Sequence, residues 1–194
     1  MGTKTGKAMV ATAEAETHSG RPRRPTRQHP EEVQSVVLAH TAIPSPFGVV
    51  TVAWETDTSS RPLVRRIYLP SDPRPLAPSL GSTLRDTEPP ATVADLINRL
   101  GRYLAGEVVT FDLDPLDLSS CSTFQQRVLR AEFAIPRGEV TTYGLLAAHI
   151  GAPRAARAAG SALARNPFPV VIPCHRAVHA DGTLGGFRGG LAMK

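Results

Sequence analysis

The chain has 194 residues, which is enough for one large domain or two small ones with a buried core. Its 22 basic and 17 acidic residues give a net charge of +5, and this balance favours an acidic partner. No apolar run approaches the roughly 18 residues that a membrane span needs, and the N-terminus has no apolar signal-peptide core, so we expect a cytoplasmic protein that does not contact membranes.

Residues 1–34 are polar and end in an arginine- and proline-rich stretch, GRPRRPTRQHPEE. They have no periodic apolar positions, so the composition predicts a disordered basic tail. We interpret the RPRRPTR cluster as part of this solvated tail, with a nucleic-acid contact as the alternative.

Residues 35–115 are predicted to form an N-terminal α/β domain. The β-branched runs SVVLAHTAI and GVVTVAWE, separated by the turn signal PSPFG, predict two strands, and PLVRRIYLP predicts a third. The proline-rich stretch 70–90 predicts an irregular connection. ATVADLINRLGRYLAG has helical spacing and ends at Gly106. The pattern indicates a small antiparallel sheet with one helix and no clustered chemistry.

Residues 116–194 are predicted to form a mainly helical C-terminal domain, which makes the fold class α/β in the α+β sense. STFQQRVLRAEFAI predicts a helix that Ser122 or Thr123 caps, and Thr142 is the expected cap of a second helix, YGLLAAHI. A three-residue turn, 151–153, then leads into a third helix, RAARAAGSALARN. Two short helices joined in this way are typical of a helix-turn-helix.

The charge distribution favours DNA as the partner of this helix pair. No Asp or Glu lies between Val140 and Ala180, while Arg154, Arg157 and Arg165 fall inside that stretch. An acid-free basic surface is expected where a protein faces phosphates. The alternative is an alanine-rich helix that simply packs against its neighbours.

The two cysteines, Cys121 and Cys174, are expected to be reduced thiols, and Cys121 to be structural. FPVVIP predicts a buried strand that delivers Cys174 to the edge of the core. His175 and Arg176 follow directly, and such basic neighbours are expected to lower the pKa of a cysteine thiol. In a strand, however, His175 would point away from Cys174 unless the backbone turns or a water bridges them.

Other chemistries fit the cluster less well. CHxxxH is not an established zinc spacing, and there is no CxxC redox motif. We therefore expect no metal site, while a cysteine hydrolase with an oxyanion hole stays open as an alternative.

The motif VVIPCHRAV followed by GTLGGFRGGLAMK resembles the active-site signature of the O6-alkylguanine-DNA alkyltransferases, also called methylated-DNA–protein-cysteine methyltransferases. The resemblance covers residues 122–194 and is weaker over 35–115. It implies direct, single-turnover repair of double-stranded DNA that contains O6-alkylguanine, by a monomer without a cofactor, located in the cytoplasm or on a bacterial nucleoid.

The resemblance also implies a role for each matching position. Cys174 is the expected alkyl acceptor, His175 its water-mediated base, and Asn166 a brace for the site. Tyr143 and Arg157 are expected to flip the damaged base out of the stack, through the minor groove. We further expect Arg154 to bind DNA. The expected residues of the substrate pocket are Ala177, Phe187 and Arg188.

Two departures from the family pattern qualify these expectations. Phe187 stands where many members have tyrosine. The family has a helix after the GGLAxK segment, with a buried glutamate that orients the active-site histidine, and the present sequence stops at Lys194. The phenylalanine removes one hydroxyl. If the chain is complete, the missing helix predicts weaker thiol activation and lower stability, with a catalytically weak or inactive lesion-binding protein as the alternative function. If the chain is a fragment, ordinary activity is expected of the longer protein.

Overall fold

The β-branched runs of the first half form the expected strands. The computed structural model describes residues 37–55, 62–70, 72, 83–85 and 87–194, so the predicted tail lies outside the described residues. The strands are β1 (Val37–Ser45), β2 (Gly48–Glu55), β3 (Val64–Tyr68) and β4 (Thr83–Arg85). They form one sheet in the order β3-β2-β1-β4.

The sheet departs from the expected antiparallel arrangement at one edge. β2 pairs antiparallel with both β1 and β3, whereas β4 pairs parallel with β1. β4 falls inside the stretch that the sequence predicted to be irregular. A parallel strand needs a long connection to return the chain in the same direction, and residues 69–82 provide one.

Helix α1 (Ala91–Leu104) covers part of this sheet. Its buried side chains are those that the spacing predicted, with Ile97 only partly buried: Val93, Leu96, Leu100 and Leu104. The helix ends before Gly106, whose φ of +97° suits glycine. The periodicity and the stop signal therefore located this helix correctly.

The second half of the chain packs against the outer edge of the sheet. The amide of Val64 donates to Pro115 O at 2.7 Å, and the amide of Ile67 donates to Pro167 O at 2.8 Å. Trp54, Leu96 and Leu129 belong to one buried cluster that spans both halves. The core is thus continuous across residue 116, and the division into domains at 35–115 and 116–194 stays a prediction.

The helices of the second half are short, and the first two are capped where the sequence predicted. They are α2 (Thr123–Phe133), α3 (Tyr143–His149) and α4 (Ala156–Ala164). Ser122 Oγ accepts from Gln125 N at 3.3 Å and Thr142 Oγ1 accepts from Leu145 N at 3.2 Å. No helix among the described residues is both long and apolar enough to cross a bilayer.

The turn between α3 and α4 is longer than the three residues expected. It spans 150–155, because Gly151 ends α3 with a φ of +71° and Ala155 N then donates to Ala152 O at 2.8 Å in a further turn. Two short strands, β5 (Thr141–Thr142) and β6 (Ala177–Val178), pair parallel with each other. They join the start of α3 to the segment after Cys174.

Candidate functional site

The apolar run that precedes Cys174 is buried but is not a strand, which corrects the sequence prediction. Residues 167–173 turn back on themselves, with Ile172 N donating to Phe168 O at 2.9 Å. Three prolines in this run remove the amide donors that a strand ladder requires. Val170 has a φ of +74°, which is strained for a β-branched residue and holds only where packing dictates it.

Asn166 fixes this folded segment from inside. Its side chain is 1% exposed, and its Oδ1 accepts from Phe168 N at 2.9 Å. Its Nδ2 donates to Ile172 O at 2.9 Å and to Cys174 Sγ at 3.2 Å. One buried amide therefore connects both ends of the turn to the thiol.

Cys174 begins a 3-10 turn, Cys174–Arg176, and is half-buried. Burial is the main influence on the thiol and raises its pKa to about 11, while the Asn166 hydrogen bond and the positive charge of Arg188 act in the opposite direction. The expectation that adjacent basic residues lower the pKa is therefore wrong. Arg176 instead directs its guanidinium to Ile135 O.

His175 lies on the same 3-10 turn, so the backbone does turn at the Cys-His pair. Burial, followed by the positive charges of Arg176 and Lys194, lowers the pKa of His175 to about 4. The imidazole is thus neutral at pH 7, with one ring nitrogen unprotonated. Its ring packs edge-on against Phe187, with 6.0 Å between the ring centres.

A pocket of about 950 Å³ opens beside the thiol, between α3, α4 and the glycine-rich segment. The predicted site residues that line it are Tyr143, Arg157, Asn166, Cys174, Phe187 and Arg188. His175, Ala177 and Arg154 lie outside this lining. Ala177 is fully buried in β6, and Arg154 is exposed in the turn before α4.

Tyr143, the first residue of α3, forms one wall of the pocket against the glycine-rich segment. A Cβ on Gly185 would come within 2.2 Å of its hydroxyl, so this position needs glycine. Lys194 Nζ donates to Gly185 O at 2.9 Å and to Ala177 O at 3.0 Å, which ties the segment to β6. The glycine-rich wall is therefore held close to the tyrosine.

Basic side chains lie on the exposed surface of α4 and at its two ends, and of these Arg157 lines the pocket. Arg157 and Arg165 are exposed, as is Arg154 before the helix. The buried face of α4 consists of Ala159, Ala162 and Leu163, so the small residues pack inward while the arginines face solvent. A positively charged surface thus borders the mouth of a pocket that contains a nucleophile.

The sequence model of the 6-O-methylguanine DNA methyltransferase DNA-binding domain matches residues 123–194. The methylated-DNA–protein-cysteine methyltransferase of Mycolicibacterium paratuberculosis is 40% identical over 159 residues, which cover 81% of this chain and 88% of that protein. The chain belongs to the methylated-DNA–protein-cysteine methyltransferase family. The match to the relative from Methanothermobacter thermautotrophicus is 44% identical over 109 residues, or 56% of this chain and 61% of that relative.

The family fold is equally evident in solved structures. A crystal structure of Mycobacterium tuberculosis OGT in complex with DNA superposes with a TM-score of 0.65 at 34% identity, over 80% of this chain and 87% of that one. A single-substitution variant of the M. tuberculosis O6-methylguanine methyltransferase gives a TM-score of 0.64 at 36% identity, with the same coverage. These comparisons confirm the family and the α+β fold class that the sequence predicted.

Sequence reasoning missed two groups that the structure places near the thiol. Lys194 appeared only as the last residue of the GGLAMK motif, with no signal for its bonds to two carbonyls. Glu132 lies three and four residues after the buried Leu129 and Val128, so its helical position did indicate an inward direction. Its residue type gave no such signal, because an acidic side chain is rarely fully buried.

Proposed function

We propose that this protein repairs DNA by accepting an alkyl group from O6-alkylguanine on Cys174, once per molecule. The observation that carries the proposal is the position of Cys174 Sγ: it lines a pocket that is large enough for a base and is bordered by the basic side of the helix-turn-helix. The names of the relatives, methylated-DNA–protein-cysteine methyltransferases, support the same reaction.

In the proposed reaction the sulfur of Cys174 attacks the alkyl carbon and displaces the O6 oxygen of guanine. The S–C bond forms as the C–O bond breaks, and the bonding electron pair leaves with guanine, which takes up a proton. The thiol must lose its own proton first, because the thiolate is the nucleophile. Neutral His175 is proposed to accept this proton through a water molecule. The proposed reaction requires no cofactor.

Asn166 is proposed to brace the nucleophile. Its Nδ2 donates to the sulfur and its hydrogen bond favours the thiolate, while its other contacts fix the turn before Cys174. Arg188 contributes a positive charge that also favours the thiolate, and it donates to Asn166 O at 3.1 Å. Both groups thus oppose the effect of burial on the thiol.

DNA is the proposed partner, with the damaged base extruded into the pocket. An alkyl group on O6 is inaccessible inside a stacked duplex, and extrusion costs a few kcal/mol. Arg157 on α4 and Tyr143 on α3 face the pocket from the helix-turn-helix and are the proposed flipping residues. Arg154 contributes to phosphate binding, and Phe187, Arg188 and Ala177 to the pocket and its support.

We propose that the protein acts as a monomer. Because the substrate is chromosomal DNA, we propose a cytoplasmic location, with association to the nucleoid in a bacterial cell.

The direct test is to incubate the protein with a duplex that carries one O6-methylguanine and then to measure its mass. We expect a gain of one methyl group, located on the peptide that contains Cys174, and unmodified guanine in the product DNA. Cys174→Ala is the matched control and should bind the duplex without a mass change. Tight lesion binding by the unaltered chain without methyl gain would overturn the proposal in favour of a lesion-binding function.

A further inference from the structure

Glu132, in the last turn of α2, is a buried acid that the proposed reaction does not use. Its side chain is 0% exposed, and neither carboxylate oxygen has a hydrogen-bond partner among the described residues. Among the described residues that are buried as a whole, the other charged and amide side chains are satisfied: Asp117 pairs with Arg65, and Asn166 makes three hydrogen bonds. Two half-buried residues, His40 and Arg99, each have one buried nitrogen without a partner. Burial raises the pKa of Glu132 to about 7.

The charged and titratable groups that act on Glu132 come from three elements around it. Arg176, on the 3-10 turn, and Lys194, in the C-terminal segment, stabilise its ionised form. Burial is the main cause of the raised pKa of Tyr143, on α3, and of Cys174, on the 3-10 turn, and the negative charge of Glu132 raises both further. Glu132 therefore lies within electrostatic reach of the nucleophile.

Glu132 and His175 share the same two cationic neighbours, Arg176 and Lys194. The 3-10 turn that holds Cys174 is anchored next to the end of α2, because Arg176 donates to Ile135 O. This contact brings the last turn of α2 and the nucleophile into the same buried region.

We propose that Glu132 restrains the nucleophile: its carboxylate opposes conversion of the Cys174 thiol to the thiolate and so keeps the sulfur in its unreactive form between encounters with substrate. The inference rests on the proposed function, which makes Cys174 a single-use acceptor. A single-use acceptor gains from a low thiolate fraction, because the thiolate also reacts with free electrophiles and oxidants.

The restraint depends on pH in a defined direction. A carboxylate near a thiol disfavours a second negative charge, whereas a protonated carboxyl does not. Below about pH 6 Glu132 is mostly neutral and the restraint is weak; above about pH 8 it is mostly ionised and the restraint is complete. The thiol and the carboxyl therefore titrate as a coupled pair.

The test measures the rate at which iodoacetamide alkylates Cys174 between pH 5.5 and 9, with the modified peptide identified by mass so that Cys121 does not interfere. Glu132→Gln removes the charge and keeps the shape. Glu139→Gln is the matched control, since Glu139 is an exposed acid in the loop after α2 and its loss changes the net charge equally.

We expect the Glu132→Gln and unaltered proteins to react equally at pH 6, and the variant to react about threefold to tenfold faster above pH 8. The control should match the unaltered protein throughout. A rate ratio that is the same at every pH would indicate a general loosening of the site and overturn the proposal. Equal rates, or a slower variant, above pH 8 would also overturn it.

Two further measurements keep the test decisive. If Glu132→Gln does not fold, the unaltered protein alone provides the test. Its plot of the logarithm of the Cys174 alkylation rate against pH should show two parallel rising segments, with an offset between them near pH 7. A single straight line would contradict the proposal. Iodoacetamide needs no DNA, so the restraint is measured even if methyl transfer fails. Conversely, methyl transfer with no change in thiol titration refutes the restraint alone.

Discussion

The sheet half of the molecule, residues 37–104, and the site half, residues 117–194, differ in what they bury. The buried residues of the sheet half are apolar among those that the structure describes, with Trp54 and Ile67 at their centre. Within the described ranges, the buried polar or charged residues all belong to the site half: Asp117, Glu132, Thr141 and Asn166. The sheet half therefore contributes mainly packing, together with the carboxylate of Asp72, whose side chain is 1% exposed and lies 3.9 Å from the Arg188 guanidinium. The site half contains the other buried groups whose charge depends on their surroundings.

This contrast teaches that stability and reactivity are located in different parts of one continuous core. Substitutions in the sheet half should change the free energy of unfolding without changing the thiol. Substitutions in the site half should change both, in proportions that the local hydrogen bonds and charges determine.

Trp54→Ala should cost about 3–5 kcal/mol of stability, because it removes a large side chain that is 1% exposed and leaves a cavity. Urea unfolding measures this loss. The pH dependence of Cys174 alkylation, corrected for the folded fraction, should match that of the unaltered protein. A shifted thiol titration in the folded variant would show that the sheet half also sets the reactivity of the site.

Glu132→Leu should stabilise the protein at pH 8 by about 3 kcal/mol, which corresponds to a pKa raised from 4.5 to about 7. The sign follows from the raised pKa: the protonated carboxyl is tolerated below pH 4.5, and stability falls as pH rises through 7 and the buried group ionises. Glu132→Leu has no carboxyl at this position, so its stability does not fall in this way as the pH rises. Urea unfolding at pH 4.5 and pH 8 measures the difference.

His175 also makes the stability of the protein depend on pH, but it does not affect the comparison of Glu132→Leu with the unaltered protein. Its lowered pKa produces the opposite trend, since stability is present above pH 6.5 and is lost as pH falls towards 4. Both proteins contain His175, so its contribution cancels when they are compared at one pH. An equal stability gain at both pH values would mean that the introduced leucine simply packs better, and the buried charge would then play no part.

Asn166→Ala should cost about 2–3 kcal/mol and also slow the thiol. The stability loss follows from three lost hydrogen bonds and from an unpaired amide at Phe168. The slower alkylation of Cys174 follows because the Asn166 hydrogen bond lowers the thiol pKa. Urea unfolding and iodoacetamide rates at pH 8 measure the two effects. Unchanged alkylation in the folded variant would contradict the proposed brace.

The sequence predicted the regular elements well because their signals are local. Gly106 ended α1 and the hydroxyls of Ser122 and Thr142 capped α2 and α3 as expected. The family was also predictable, because the IPCHR motif and the helix pair before it occur together at fixed spacing. These features depend on residues that are neighbours along the chain.

The sequence did not predict the electrostatics of the site, because desolvation depends on distant residues. The basic neighbours of Cys174 indicated a low pKa, yet burial by the surrounding segments outweighs them and raises it to about 11. The run FPVVIP was apolar because it is buried, and burial alone does not distinguish a strand from a folded turn with Val170 at positive φ. The burial of Glu132 was not predicted either, because acidic residues are rarely found in a protein core.

The smallest expected effect concerns Arg157, which is exposed on α4 and lines the pocket. Arg157→Ala should weaken binding to a duplex with O6-methylguanine by about tenfold, because a positive group at the mouth of the pocket is lost, while the unfolding free energy and the Cys174 titration stay unchanged. Fluorescence anisotropy measures the binding. Arg130→Ala, an equally exposed charge on α2, is the control and should reduce binding much less. Equal losses in the two variants would mean that net charge alone governs the interaction, and that α4 has no special position at the DNA.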